Sequence, residues 1–262
     1  MTRQSPRGPE LLMVRRRAGD AFGDSYAFPG GILDADEFLA RGHCAGIDND
    51  AANALLKLPE GGLDYFSAAI RELFEETGVL LARHGDDWVA DSPLMQKLRN
   101  RVDKVILAWP EFLRDQDLQM AGDAVHYFAH WETPLNRPKR WSTRFFLAQL
   151  PAGQNASHDD GELTEIKWLT AVEALSAGRS GSMKLPFPTI KNLQALAEFT
   201  TVDALVEWAR QKARDGVEKI RPVEIVCDGK PRFVIPGDRD YPDGDEGGEG
   251  GDDDRTRAPD DP

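Results

Sequence analysis

One nine-residue string constrains this chain more than any other part of it: Arg71-Glu72-Leu73-Phe74-Glu75-Glu76-Thr77-Gly78-Val79. Leading into it, Phe66, Ile70, Leu73 and Phe74 recur at i, i+4, i+7 and i+8, the apolar stripe of a helix that begins near Asp64. Gly78 is placed to stop that helix. Glu72, Glu75 and Glu76 fall at i, i+3 and i+4, so three carboxylates share one face. Like charges within one turn repel, and at the C-terminal end of a helix the dipole disfavours anions. Arg71 can pair with Glu75 at i, i+4, but one cation does not neutralise three acids. A hard divalent cation with oxygen ligands is the natural compensation; a solvated acidic face is the competing reading. Because the apolar stripe lies on the other side, the acids are expected to stay clear of the core.

Around this helix the chain alternates irregularly. Strands are expected at Leu11–Arg15, Val79–Leu81, Ala124–Trp131, Arg144–Leu150 and Glu162–Leu169, with a hairpin at Val223–Cys227 and Arg232–Ile235. Helices are expected at Ala51–Leu58, in two pieces over 92–118 near Pro110, at Ala171–Ala177, and as one run from Thr189 to Lys212. The cluster Phe28-Pro29-Gly30-Gly31 forces a turn. There is no βαβ rhythm, which points to an α/β or α+β sandwich rather than a dinucleotide-binding sheet.

Of the 262 residues, 237–262 hold eleven acids against three bases, so −8 of the formal −13 belongs to this stretch and −5 to residues 1–236. That composition predicts one folded domain over 1–236 and a disordered acidic tail over 237–262. A mildly acidic body lacks the basic footprint of a nucleic-acid or anionic-membrane binder, and no apolar run reaches membrane-span length. The start of the sequence lacks the pattern of a secretory signal. Two cysteines, Cys44 and Cys227, make no disulfide framework; they are expected as buried or half-buried thiols in a cytoplasmic protein.

The string Arg-Glu-aliphatic-x-Glu-Glu-x-Gly-aliphatic matches the second half of the Nudix box, and the chain resembles a Nudix hydrolase. The first half is not at its usual distance, where Lys57 and Leu63 stand, but Gly31-x5-Glu37 supplies it directly after Phe28-Pro29-Gly30. Thirty-three residues separate Glu37 from Arg71 instead of seven, an insertion over 38–63. A surface loop absorbs such a length at modest entropic cost. Interrupted boxes resemble those of the peroxisomal-type coenzyme A diphosphatases and their bacterial relatives. Trp131-Glu132-Thr133-Pro134, Arg144–Ala148, Leu185–Thr189 and Ile235–Asp238 extend that likeness. There is one departure: the coenzyme A pattern has a glycine where this chain has Asp24, with Gly23 one residue off.

The resemblance implies a Nudix-type mixed sheet between helices and metal-dependent hydrolysis of a nucleoside diphosphate linked to another moiety. Coenzyme A or an acyl-coenzyme A is the leading substrate. ADP-ribose, dinucleotides and nucleotide sugars are the alternatives, and a non-catalytic ligand sensor is a third reading. It implies Glu72 and Glu76 as principal ligands of Mg2+ or Mn2+. Glu75 would be a third ligand or would help activate water, and the Gly31 carbonyl would complete the shell. Arg71 would orient Glu75 and Glu37. Glu162 and Glu165 are candidates for a late ligand, with strand-surface acids as the alternative. Either Arg15, Arg16 and Arg17 or Lys139, Arg140 and Arg144 could face phosphates, although for each arginine singly a solvated surface position is the better reading. His126 and His130, spaced two apart on a strand, read as structural, since two histidines alone rarely hold zinc; Trp131, Trp141 and Trp168 read as core or rim. The insertion is open to three roles: a lid, a contact in a homodimer, or a tolerated excursion.

Overall fold

The computed structural model describes residues 1–17, 23–158, 163–227 and 229–242. Its strands are β1 (Thr2–Ser5), β2 (Gly8–Arg16), β3 (Tyr26–Ala27), β4 (Cys44–Ala45), β5 (Ala82–His84), β6 (Asp87–Trp88), β7 (Gln119–Ala121), β8 (His126–Glu132), β9 (Ser142–Leu147), β10 (Leu163–Thr170), β11 (Lys219–Ile220), β12 (Val223–Cys227) and β13 (Lys230–Val234). The α-helices are α1 (Asn49–Leu56), α2 (Gly62–Thr77), α3 (Pro93–Asp103), α4 (Trp109–Asp115), α5 (Ala171–Ser180), α6 (Phe187–Leu196) and α7 (Val202–Asp215), and a 3-10 helix spans Glu37–His43. The class is mixed α/β, as expected, with the strands gathered into several small sheets. β2 pairs antiparallel with β1, β3 and β10; a second sheet runs β4-β7-β5-β6, a third β11-β8-β9, and β12 and β13 form the hairpin.

The chain divides into two compact units, residues 1–128 with 145–217, and 129–144 with 218–262. In the first, Leu11 to Val14 of β2 are buried without alternation, the pattern of a strand covered on both faces. The stripe of α2 is buried as the spacing requires: Phe66, Ile70, Leu73 and Phe74 are all in the core. Phe74 stacks on Phe112 of α4 with centroids 5.3 Å apart, and Phe66 lies 5.1 Å from Phe146. Truncating Phe66 to Ala would cost about 3–5 kcal/mol. Gly78 ends the helix at φ 73°, its N–H on the Phe74 carbonyl, a conformation that glycine adopts without strain.

Three local expectations are corrected. Residues 79–81 are buried but are not a strand; the strand starts at Ala82. The reason is the buried amide of Gln154, which accepts from the Leu80 N–H (2.8 Å) and donates to the Leu80 carbonyl (2.9 Å). A side chain thus fills the place of a neighbouring strand. The run from Thr189 to Lys212 is two helices, because Thr201 caps α7 through the Ala204 N–H and local capping chemistry outweighs a continuous apolar pattern. Cys44 is partly buried, whereas Cys227 is exposed.

The insertion is not a surface loop. It contributes most of the 3-10 helix, β4 and α1; it buries Ala40, Ala52 and Leu56, and β4 pairs in parallel with β7 at Cys44↔Met120. Near its two ends Arg41 and Asp64 form a bidentate ion pair, Nε to Oδ1 at 2.6 Å and Nη2 to Oδ2 at 2.7 Å.

In the second unit, Glu132 accepts from Lys219 (2.9 Å) and from Arg221 Nε (2.8 Å), and the Tyr241 hydroxyl donates to the Arg221 carbonyl. Trp131 is buried, as read from the sequence, and Lys139 lies over the Trp141 ring. Trp168, in the first unit, is partly buried against the core beneath the Arg3 guanidinium. Of the expected tail, 237–242 are described and 243–262 lie outside the described residues. No helix among the described residues is long and apolar enough to cross a membrane.

His130 is buried, with Nε2 2.8 Å from Ser142 Oγ. Burial, then the nearby Arg144, pushes its pKa down to about 4. The unfolded chain therefore binds a proton near pH 6.5 that the native state refuses until about pH 4. Stability is full above pH 6.5 and falls as the pH drops toward 4, by up to about 3 kcal/mol from this group. Urea unfolding of His130→Gln across that window is expected to show a shallower decline than the parent; an unchanged slope would remove His130 from the account.

Candidate active site

α2 supplies four charged side chains from two turns, and the turn after β3 supplies the rest. Gly31 passes so close to the helix that a Cβ there would lie 2.4 Å from the Glu72 carboxyl; no residue with a side chain fits without displacing that carboxylate. The Gly30 N–H donates to Glu76 Oε2 at 2.8 Å, and Arg16 Nη2 reaches Glu76 Oε1 at 3.3 Å while also bonding the Gly30 carbonyl. Glu76 is therefore buried, at 6% exposure. The cover comes from the Pro-Gly-Gly turn and Arg16 and not from the apolar core, in line with the expectation that the core would not bury the acids.

Glu37 and Arg71 meet across the insertion. Arg71 Nε and Nη2 donate to Glu37 Oε2 at 3.1 and 2.9 Å; Nη2 also donates to the Ile32 carbonyl, and Nη1 donates to Glu72 and Glu75, each at 3.0 Å. The i, i+4 pairing of Arg71 with Glu75 is present as expected. Asp34 adds a carboxylate 3.5 Å from Arg71 Nε. Burial raises the Glu72 and Glu37 pKa values, against the pull of Arg71. Glu75 is pushed up to about 7 by burial, with Glu72 and Asp34 adding to the effect and Arg71 opposing it. Arg71 is held charged: burial works against it, but Glu37, Glu72 and Glu75 together prevail.

The donor chemistry fits a hard divalent cation: three carboxylates from one helix face, two of them short of neutralisation, beside the Gly31 backbone. Among the described residues, no three His, Cys, Asp or Glu side chains form a closed metal cluster. The carboxylates are instead turned toward Arg71, Arg16 and the Gly30 N–H.

The other candidates are placed elsewhere or outside the described residues. Glu162 lies outside them. Glu165 bonds the Tyr26 hydroxyl and Lys167. Arg15 bonds Asp24 (Nε to Oδ1, 2.9 Å). Asp24 stands in the glycine's position of the coenzyme A pattern at φ 62°, a left-handed conformation that aspartate tolerates better than most residues. Arg140 lies 3.9 Å from Glu132 in the second unit. His126 and His130 both have pKa values lowered to about 4, first by burial, in keeping with structural roles.

Sequence reasoning missed Arg16 as a partner of Glu76, and it missed Asp34, Ser67 and Trp109 altogether. Ser67 left a signal: it sits four residues before Arg71, on the same helix face, as a polar residue inside an apolar run.

Comparison with known proteins shows the family. The family described as NUDT19 Nudix domain matches residues 47–196, more than half of the chain. The acyl-coenzyme A diphosphatase NUDT19 of Xenopus laevis is 25% identical over 271 residues, spanning 89% of this chain and 71% of that protein. Its counterpart in Gallus gallus is 27% identical, spanning 91% and 75%. The crystal structure of a NUDIX hydrolase from Alicyclobacillus acidocaldarius superposes with a TM-score of 0.66 at 25% identity, over 79% of this chain and 91% of that one. With its box interrupted in sequence and joined in space by Glu37 and Arg71, the chain belongs to the Nudix hydrolase family, within the NUDT19 Nudix-domain group.

Proposed function

We propose that this Nudix hydrolase cleaves the pyrophosphate of coenzyme A or an acyl-coenzyme A, releasing 3′,5′-ADP and (acyl-)4′-phosphopantetheine. The supporting observation is the Glu37–Arg71 contact at 2.9 Å, which makes the interrupted box whole. The names of the vertebrate relatives supply the substrate class.

Family membership brings a divalent-cation requirement, and Mg2+ or Mn2+ fits the all-oxygen donor set. Glu72, Glu76 and the Gly31 carbonyl would hold the cation, and Glu75 would join them or help to activate water. A cation bound there neutralises charge on the pyrophosphate and makes water a better nucleophile at neutral pH. Arg71 sets the direction of Glu72 and Glu75 by one hydrogen bond to each. Arg16 and the Gly30 N–H keep the Pro-Gly-Gly turn against the end of α2, so that the backbone at Gly31 and the Glu72 carboxylate face one space.

The decisive experiment offers coenzyme A, an acyl-coenzyme A, ADP-ribose and NADH separately, with Mg2+ or Mn2+, and identifies the products. Preferential release of 3′,5′-ADP supports the proposal. AMP from ADP-ribose or NADH would keep the chemistry and overturn the substrate; no product from any would favour a ligand sensor. Gly31→Ala tests the site itself. The flexible end of Glu72 can move aside, so the melting temperature should hold within a few degrees, equivalent to about 1 kcal/mol. The displaced carboxylate should lower kcat about 100-fold, the scale of a misplaced catalytic group. Wild-type turnover in that variant would mean that Glu72 does not act from this position.

A further inference from the structure

We infer that Ser67 and Trp109 are positioning residues for the interrupted box, holding Glu37 in the orientation that fixes Arg71 and, through it, Glu72 and Glu75. The inference rests on the reading of Glu72 and Glu75 as cation-binding groups. The polarity of the hydrogen-bond chain is forced. An indole N–H can only donate, so Trp109 Nε1 donates to Ser67 Oγ (3.0 Å), and the serine hydroxyl then donates to Glu37 Oε1 at 2.6 Å. Oε2 of the same carboxylate is left to accept from Arg71 twice, at 2.9 and 3.1 Å.

Arg71 has five N–H donors, and five hydrogen bonds account for them: two to Glu37, one to the Ile32 carbonyl, one to Glu72 and one to Glu75. A guanidinium with every donor engaged cannot pivot toward one partner without releasing another. Its angle therefore follows the angle of the Glu37 carboxylate. Ser67 is 0% exposed, Glu37 3% and Trp109 5%, so water does not replace a lost partner, and hydrogen bonds in such surroundings reinforce one another. Trp109 is itself fixed by stacking on Phe112, with centroids 5.4 Å apart. In an uninterrupted box Glu37 would stand seven residues from Arg71 on a short tether. Here 33 residues intervene, and side chains take over the orientation that the short tether would otherwise supply. Ser67, four residues before Arg71 on α2, and Trp109, at the start of α4, are the groups that do so.

The test titrates Mn2+ by electron paramagnetic resonance and measures kcat and KM on the same preparations. In Ser67→Ala, Mn2+ affinity and kcat should each fall about 10–100-fold, the scale seen when a partner of a ligand is removed, with KM little changed. Trp109→Phe keeps the ring packing, removes the donor, and should move both quantities in the same direction by a smaller factor. Ser67→Ala introduced into Glu37→Gln should add little further loss, because the serine acts through that carboxylate. Leu193→Ala, in the core on α6, should lose thermal stability without losing Mn2+ affinity. The inference is overturned if Ser67→Ala binds Mn2+ like the parent, or if Leu193→Ala weakens binding as much. Should the parent cleave no coenzyme A substrate, the proposed function falls, while the Mn2+ titration still decides the role of Ser67.

Discussion

The buried guanidinium of Arg71 is the interaction on which the rest of the site depends. Removing a charged side chain from water is costly unless it is paired and hydrogen-bonded. At 4% exposure Arg71 meets both conditions through Glu37, Glu72, Glu75 and the Ile32 carbonyl. The geometry has a further consequence. Arg71 touches Glu37 at the edge of the insertion, the Ile32 carbonyl after the Pro-Gly-Gly turn and the acidic face of α2 together. A lysine would keep the charge and lose the fork that makes these simultaneous contacts.

The insertion shows how a fold tolerates a break in its most constrained motif. Lengthening the tether from seven to 33 residues costs about 1–1.5 kcal/mol in closure entropy, a small sum beside what the added segment buries. Leu56 alone, 3% exposed, contributes about 1.5–3 kcal/mol. The Arg41–Asp64 pair is partly exposed and adds little energy by itself; its geometric effect is to bring the two ends of the excursion together. The insertion is thus structural, with β4 in a sheet and α1 against α2, and the box residues on either side of it meet at Arg71.

Where the sequence was legible, a single local rule governed the outcome. The stripe Phe66, Ile70, Leu73 and Phe74, the stop at Gly78, and the i, i+4 pair of Arg71 and Glu75 all follow from helical periodicity. Glu37 was legible only because the family pattern made its spacing meaningful; periodicity says nothing about a partner 34 positions away. The failures share a cause of the opposite kind. Residues 79–81 looked like a strand, but the hydrogen bonds of Leu80 at their centre go to Gln154, a side chain 74 positions away. Helical periodicity likewise gave no sign of the backbone turn, 46 residues upstream, that covers Glu76. Ser67 and Trp109 passed as ordinary helix residues, because their meaning lies in a contact 42 positions long.

The charge balance of the site supplies the last step. Glu37, Glu72, Glu75 and Glu76 face two arginines, Arg71 and Arg16, as bonded partners. With all four ionised, four negative charges against two positive ones leave a deficit of two, before the more exposed Asp34 is counted. The deficit is not spread evenly. Glu37 is fully engaged by Ser67 and Arg71, and Glu76 by Gly30 and Arg16, whereas Glu72 and Glu75 share a single nitrogen of Arg71. Of these two, Glu72 lies alongside Gly31, and burial pushes the Glu75 pKa up to about 7. Uncompensated charge therefore collects on the helix face that, under the proposed function, would hold the cation. Glu37 serves as the frame: Arg71, with no further hydrogen bonds to give, fixes Glu72 and Glu75 from it, while Arg16 and the Gly30 N–H fix Glu76.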